Sequence, residues 1–257
     1  MENFGSYFIE PLGKIGQGGF GYVEKIKLYN STMSPCGTFA RKVFSPSSSV
    51  LAQVSKDDLK RRFIREAMYQ SKCTHKNVNY ICLLNKHADN PYFVMDLAVC
   101  DLASDITNCA LTDLQKIEVV KMISQGILRI HNKGFLHRDL KPQNILRMPS
   151  GAYAISDFGL VKNTDSAANT TALTAIGQAM GTPRYMAPEI LYNAEYSIKT
   201  DIFSLGKVAE DLNIQDDDFR QLIAGCSSMD EKQRYDSIDA FIQDVASLQV
   251  QRGVRHA

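Results

Sequence analysis

HRDLKPQNIL, residues 137–146, brings an arginine, an aspartate, a lysine and an asparagine together within ten positions, between two apolar runs. A buried, salt-bridged turn uses the same residue types, so the stretch alone leaves a structural turn and a catalytic loop both open. Farther along comes SDFGL, residues 156–160. Asp139 can accept a proton from an attacking hydroxyl, Asn144 carries a side-chain oxygen for a metal, and Asp157 adds a hard carboxylate of the kind magnesium prefers. The rest of the chain has to supply the context.

A chain of 257 residues buries a substantial core, either as one large domain or as two small lobes. Its 29 Lys and Arg balance 28 Asp and Glu, so no overall field favours nucleic acid or an anionic membrane, and partners must be chosen locally. Cys36, Cys73, Cys82, Cys100, Cys109 and Cys226 show neither a CxxC pair nor metal-ligand spacing, which reads as free thiols in a reducing compartment. The start of the chain lacks the pattern of a signal peptide, and no apolar run reaches the roughly 18 residues of a membrane helix. The expectation is a cytoplasmic protein with no membrane anchor.

Upstream of the loop the chain alternates strands and turns: YFIEPLGKI, FGYVEKIKLY and TFARKVF are rich in β-branched and aromatic residues and are separated by Gly, Ser or Pro. One helix interrupts them, KDDLKRRFIREAMYQSK at 56–72, with Phe63, Ile64, Ala67 and Met68 at helical spacing and its charges read as a solvated face. After PYFVMDLAV the character turns helical, beginning with LTDLQKIEVVKMISQGILRIHNK, where Thr112 and Gln115 suit a capping box and Gly134 a stop. Further helices are expected near 200–212, 216–224 and 237–248, and a long irregular loop at 163–179. The architecture is a strand-rich first lobe and a helical second lobe.

Two more features bear on chemistry. IGQGGFGYV, residues 15–23, is a glycine-rich turn between strands; its backbone N–H groups can approach phosphate closely, although a purely structural hairpin fits equally well. A dinucleotide-binding turn is disfavoured, because that motif opens a helix. Lys42 lies in the apolar strand FARKV, where a lysine is usually an edge or surface residue; if buried it needs an anion, which Glu66 can provide.

GQGGFGYV, ARK, HRDLKPQN, DFG and APE occur in the order of the protein-kinase motif set. With five positions from Asp139 to Asn144 and thirteen from Asn144 to Asp157, the chain resembles a Hanks-type Ser/Thr protein kinase from about Ile9 to Val250. The implied fold is α+β and bilobal, one kinase domain over 1–257. It has a small antiparallel-sheet N-lobe with one main helix (about 1–95), a hinge (about 96–99) and a larger, mostly helical C-lobe (about 100–257) with a shortened αG region.

The resemblance implies transfer of the γ-phosphoryl group of ATP, with Mg2+, to Ser or Thr hydroxyls of proteins, this chain itself in trans among them, and neither nucleic acid nor a membrane as partner. Asp139 becomes the base. Lys141 neutralises the γ-phosphate and contacts Thr182 of the substrate loop, Lys42 pairs with Glu66 and binds phosphate oxygens, and Asn144 and Asp157 hold the metal. Ile15, Gly16, Gln17, Gly18, Gly19, Phe20, Gly21 and Val23 cover the nucleotide. Ala40 and Leu146 enclose adenine with Val23, Met95 gates the back of its pocket, Asp96 to Ala98 form the hinge, and Asp101 reaches for the ribose. His137 and Phe158 are read as packing residues, Glu189 and Arg234 as a buried ion pair, and Asp201 as the acid that anchors the catalytic loop. The other histidines are read as surface or core groups without partners. Arg138 resembles the arginine that receives an activation-loop phosphate, with Thr174, Thr171 and Thr170 as candidates in that order.

Four departures qualify the pattern. Gln70 stands where the family has an apolar spine residue, Phe203 replaces a usual tryptophan, the hinge is about one residue short, and only 33 positions separate Asp201 from Arg234. That compression falls on the αG region, which many kinases use to dock substrates. Bacterial or phage relatives are expected. The alternatives are a nucleotide-binding pseudokinase acting as scaffold or switch, disfavoured because Lys42, Glu66, Asp139, Asn144 and Asp157 are all present, and a small-molecule kinase.

Overall fold

A computed structural model describes residues 1–108, 111–163 and 182–255. The chain divides into two compact units, Met1–Thr74 with Asn79–Val99, and His75–Val78 with Cys100–Ala257.

The first unit is built on an antiparallel sheet ordered β1-β2-β3-β4-β6-β5. Its strands are β1 (Glu2–Phe4), β2 (Tyr7–Gly18), β3 (Gly21–Asn30), β4 (Pro35–Phe44), β5 (Ile81–Asn85) and β6 (Tyr92–Asp96). Against one face lies α2 (Lys56–Lys72), preceded by the single turn α1 (Ser48–Leu51). Ser55 caps α2 by accepting the Asp58 N–H, and Asp57 and Asp58 in the first turn and Lys72 in the last suit the helix dipole. The buried stripe is Leu59, Phe63, Glu66, Ala67 and Gln70, whereas Met68 is exposed. Apolar spacing alone put Met68 with the core; in the fold two polar residues take that face. Phe63 sits between Phe44 and Phe93 at centroid distances of 5.6 and 5.2 Å.

On the opposite face Ile9, Ile26, Leu28, Val43, Tyr92 and Val94 form a second cluster. The Phe4 ring of β1 meets Tyr92 of β6 edge-on at 6.0 Å, although three strands separate β1 from β6. A flat sheet would hold these rings nearly 20 Å apart, so the sheet curls strongly, in the sense its twist dictates. Inside the curl Arg41 is 4% exposed, bound to Glu24 at 2.6 Å and to Glu2, with its guanidinium over Tyr92.

The second unit is mainly helical: α3 (Leu102–Asn108), α4 (Asp113–His131), α5 (Pro188–Asn193), α6 (Ile198–Asp211), α7 (Asp217–Ser227) and α8 (Ile238–Arg255). The expected Thr112–Gln115 capping box starts α4, and Gly134 adopts a positive φ just beyond its end. β7 (Cys100–Asp101), β9 (Ile145–Arg147) and β10 (Tyr153–Ile155) make a three-stranded sheet, and β8 (Phe135–Leu136) pairs with β11 (Lys162–Asn163). α6 is buried almost all round, as befits a central helix. Among the described residues α7 is the only α-helix between α6 and α8, which is where the compressed spacing falls. No helix of the described residues is long and apolar enough to cross a membrane.

Residues 75–78 are stitched into this unit: Asn77 donates Nδ2–H to the Tyr153 carbonyl at 2.7 Å and its own carbonyl accepts from Ile155 at 2.9 Å. Gly126 of α4 makes room for them, since a Cβ there would lie 2.5 Å from the Asn77 oxygen and 2.9 Å from Ile155 Cδ1. Gly126→Ala should therefore lower Tm by about 2–6 °C, because the clash costs ~1–3 kcal/mol against a helix-propensity gain of at most ~1 kcal/mol. A thermal melt that shows stabilisation would contradict this close packing.

Candidate active site

In the first unit Lys42 lies on β4, flanked in register by Val23 of β3 and Phe93 of β6, so it is on an interior strand and not at an edge. Its ammonium reaches Glu66 Oε1 of α2 at 2.6 Å, and that carboxylate is 6% exposed. The ion pair answers the desolvation that would otherwise keep a lysine out of such a strand. Ala40 and Met95 are cross-strand partners in the apolar cluster on the α2 face of the sheet, against which Val23 and Phe20 also pack.

The glycine-rich segment forms the hairpin between β2 and β3, closed by Gly18 opposite Gly21. Gly21 is dictated by space: a Cβ there would sit 2.0 Å from the Val43 carbonyl oxygen. The turn is held by the Ser45 N–H on the Phe20 carbonyl at 3.1 Å and the Ser47 N–H on the Gly19 carbonyl at 2.9 Å. Ile15 is exposed on this hairpin, with Gly16 and Gln17 opposite Val23 and Tyr22. Asp96 ends β6, where burial pushes its carboxyl above the usual range, and Ala98 follows in irregular backbone. Gln70, the departure on α2, donates Nε2–H to the Asn79 carbonyl at 2.8 Å; a hydrogen bond stands where the family has an apolar contact.

In the second unit the antiparallel hairpin of β9 and β10 pairs Ile145 with Ile155, which brings Asn144 and Ser156 side by side at its open end. The Ser156 N–H donates to the Asn144 carbonyl at 2.9 Å. The thirteen positions between Asn144 and Asp157 are thus the length of one hairpin. Asn144 Nδ2 donates to the carbonyl and the carboxylate of Asp139, at 2.8 and 2.9 Å, and Lys141 Nζ reaches the same carboxylate at 2.9 and 3.1 Å. Lys141 makes no bond to Thr182 among the described residues; Thr182 is exposed and opens the turn 182–185 as a carbonyl acceptor. Leu146 stands opposite Asp101 of β7, whose Oδ1 accepts the Ser104 N–H and so caps α3.

Asp201 of α6 fixes the loop. It is fully buried and accepts the backbone N–H groups of His137 and Arg138, at 2.8 and 2.9 Å, together with the His131 ring at 2.9 Å. Burial would raise its carboxyl pKa, but the His131 hydrogen bond, the charges of His131 and His137 and the Arg138 N–H outweigh it, and the net shift is downward. His131 corrects the sequence reading: it has a partner, but one 70 positions away and so invisible locally. His137 behaves as expected, edge-on to Phe158 at 5.2 Å, with Nε2–H donating to the Ser156 carbonyl at 3.2 Å.

Downstream, Arg234 binds Glu189 at 2.6 and 2.9 Å; burial alone would push the Glu189 carboxyl up, but Arg234 brings it below the ordinary value. Asp211 of α6 accepts the Tyr185 hydroxyl at 2.7 Å and binds Arg184, and Ser204 holds the Tyr185 carbonyl at 2.7 Å. Thr170, Thr171 and Thr174 lie outside the described residues, as does Cys109.

The oxygens present suit magnesium. With Nδ2 of Asn144 turned to Asp139, its amide oxygen remains for a metal, and Asp157 adds a carboxylate. Among the described residues no cluster of three or more His, Cys, Asp or Glu side chains could hold a metal by itself.

A family model described as protein kinase domain matches residues 9–235. The chain is 27% identical over 93% of its length to serine/threonine-protein kinase PknD of Protochlamydia amoebophila, covering 30% of that protein. It is 31% identical over 59% of its length to a probable serine/threonine-protein kinase PknB of Lactococcus lactis, covering 24% of it. It is also 32% identical over 75% of its length to serine/threonine-protein kinase pakE of Dictyostelium discoideum, covering 19% of it. The chain therefore spans less than a third of the length of these relatives.

Asp201→Ala should cost about 3–5 kcal/mol of stability in urea unfolding, since two backbone donors and the His131 ring lose their acceptor in the core. Asp201→Asn keeps one acceptor oxygen and should cost less. Because the folded carboxyl is depressed, its contribution is complete above the unfolded value near pH 4 and disappears as the pH falls through the folded pKa. The stability gap between the parent and Asp201→Asn should close on acidification below about pH 4; a gap that widens there would contradict the assignment.

Proposed function

The chain belongs to the protein kinase domain family, and from that premise we propose that it transfers the γ-phosphoryl group of ATP to Ser or Thr hydroxyls of proteins. The observation that carries the reading is the grip of Lys141 and Asn144 on the Asp139 carboxylate, on a loop whose backbone is tied to buried Asp201. The two units are read as lobes of one catalytic domain, with residues 96–99 as the connecting hinge.

Asp139 accepts the hydroxyl proton of the acceptor as the oxygen attacks. Its neighbour Lys141 places a positive charge where the transferred group becomes more negative. Lys42, oriented by Glu66, holds phosphate oxygens, and the hairpin of residues 15–23 lies over the nucleotide with its backbone N–H groups. Ala40, Val23, Leu146 and Met95 give adenine an apolar slot, and Asp96 to Ala98 offer it backbone hydrogen bonds. Asp101 can serve the ribose only with the oxygen that does not cap α3. Asn144 and Asp157 would hold Mg2+, which would supply charge neutralisation on the phosphates. Most of the acceleration then comes from positioning and charge neutralisation, with little covalent work for the protein. Autophosphorylation at Thr174, Thr171 or Thr170 belongs to the same proposal, and so does a soluble cytoplasmic location.

The test is incorporation of label from γ-labelled ATP and magnesium into dephosphorylated casein and into the chain itself. The parent should label Ser and Thr, and Asp139→Asn should lose about 10²–10⁴-fold in rate while still binding ATP. Nucleotide binding without transfer by the parent would instead favour a pseudokinase.

A further inference from the structure

Arg138, directly before the base, holds a left-handed backbone with φ of 69°. That conformation costs a residue with a side chain ~1 kcal/mol or more, so something must hold it. Asp201 takes the backbone N–H at 2.9 Å. The side chain is held differently. Its guanidinium carbon lies 3.6 Å from the centroid of the Tyr196 ring, and its Nε is buried with no hydrogen-bond partner among the described residues. The half-buried guanidinium forms no ion pair with a carboxylate of those residues either, so the π face of Tyr196 is what meets the charge.

Tyr196 is itself well placed. It packs on the cluster of Ala187, Ile190 and Phe203, and the Phe203 ring is also met by Arg234, whose guanidinium lies 4.9 Å from its centroid and is bound to Glu189. The ring is therefore fixed by the segment that follows Thr182 and by α6, independently of Arg138. Among the described residues its hydroxyl enters no hydrogen bond that would explain the residue's choice.

We propose that Tyr196 is a positioning residue for phosphoryl transfer: its ring face stands in for an anion on Arg138 and keeps the loop bearing Asp139 in working geometry when the chain carries no phosphate. The proposal rests on the reading of Asp139 as the base. With the ring removed, the guanidinium loses the π face that meets it among the described residues, Arg138 is free to leave the left-handed region, and the carboxylate one residue on moves with it.

The experiment is steady-state transfer to dephosphorylated casein by the 257-residue chain stripped of phosphate with a phosphatase, with intact mass checked before and after the assay. Tyr196→Leu should lower kcat about 3- to 30-fold, the span of a partly desolvated cation–π contact, with KM for ATP within about twofold. Tyr196→Phe, which keeps the ring, should stay within about twofold of the parent. The double variant Arg138→Met/Tyr196→Leu should be no slower than Arg138→Met alone, the signature of a shared interaction. The proposal is overturned if Tyr196→Leu matches the parent, if Tyr196→Phe is equally impaired, if the two losses multiply, or if the stripped parent is inactive while the phosphorylated parent turns over. Should Tyr196→Leu melt below the assay temperature, Tyr196→Met fills the space without a ring and is read in the same way. If no form transfers phosphate, the kinase reading fails by itself, and the same four proteins are compared by thermal melts. Shifts in Tm that fail to add then support the contact between Tyr196 and Arg138, and additive shifts refute it.

Discussion

The buried carboxylate of Asp201 is the constraint on which the second unit's chemistry depends. A charge with no access to water survives only when its oxygens are met by donors, and Asp201 finds three: two adjacent backbone N–H groups and the His131 ring. Two consecutive N–H groups can converge on one carboxylate only if the backbone between them turns sharply, and the left-handed φ of Arg138 is that turn. The electrostatic need of one residue in α6 thus sets the geometry of the loop, and Asp139 inherits it. His131 brings α4 to the same acid, so three separate pieces of chain are registered on one group.

A similar logic governs the other buried charges, with different consequences. Glu189 and Arg234 are joined by two hydrogen bonds, and the arginine also donates to the Ser228 carbonyl, so the pair is satisfied without solvent. In the first unit Arg41 draws Glu2 and Glu24 together beneath Tyr92 and so closes the curl of the sheet. Replacing such groups with apolar residues of equal volume would cost little in principle; removing one partner costs much more, because the survivor is left charged and dry. These pairs specify the arrangement of the chain more than they add to its stability.

What the sequence made legible follows from the range of each interaction. The hairpin of β9 and β10, the capping box of α4 and the helix at 56–72 are local, and residues 137–146 with 156–160 carry their spacing on their face. Lys42 and Glu66 were also legible, because a lysine in an apolar strand raises a demand that a nearby helical glutamate meets. His131, Tyr196 and Arg41 were not. Each acquires its role from a partner brought close by folding, and nothing in its own neighbourhood signals that partner. Met68 misled for the complementary reason: periodicity marks a helical face without saying that Glu66 and Gln70 will be the residues buried on it.

The compressed stretch after Asp201 acquires a physical meaning in this light. With α7 as the only α-helix between α6 and α8 among the described residues, α6 itself carries the anchoring. Its start holds residues 137–138 through Asp201, its middle holds the Tyr185 carbonyl through Ser204, and its end holds Arg184 and Tyr185 through Asp211. Gly206 lets α7 press against it, since a Cβ there would lie 2.8 Å from Ser227. A helix that fixes both the loop bearing Asp139 and the segment following Thr182 needs little more structure around it to keep the two in register. The short stretch beyond α6 therefore leaves these anchors in place, because Asp201, Ser204 and Asp211 all lie on α6 itself.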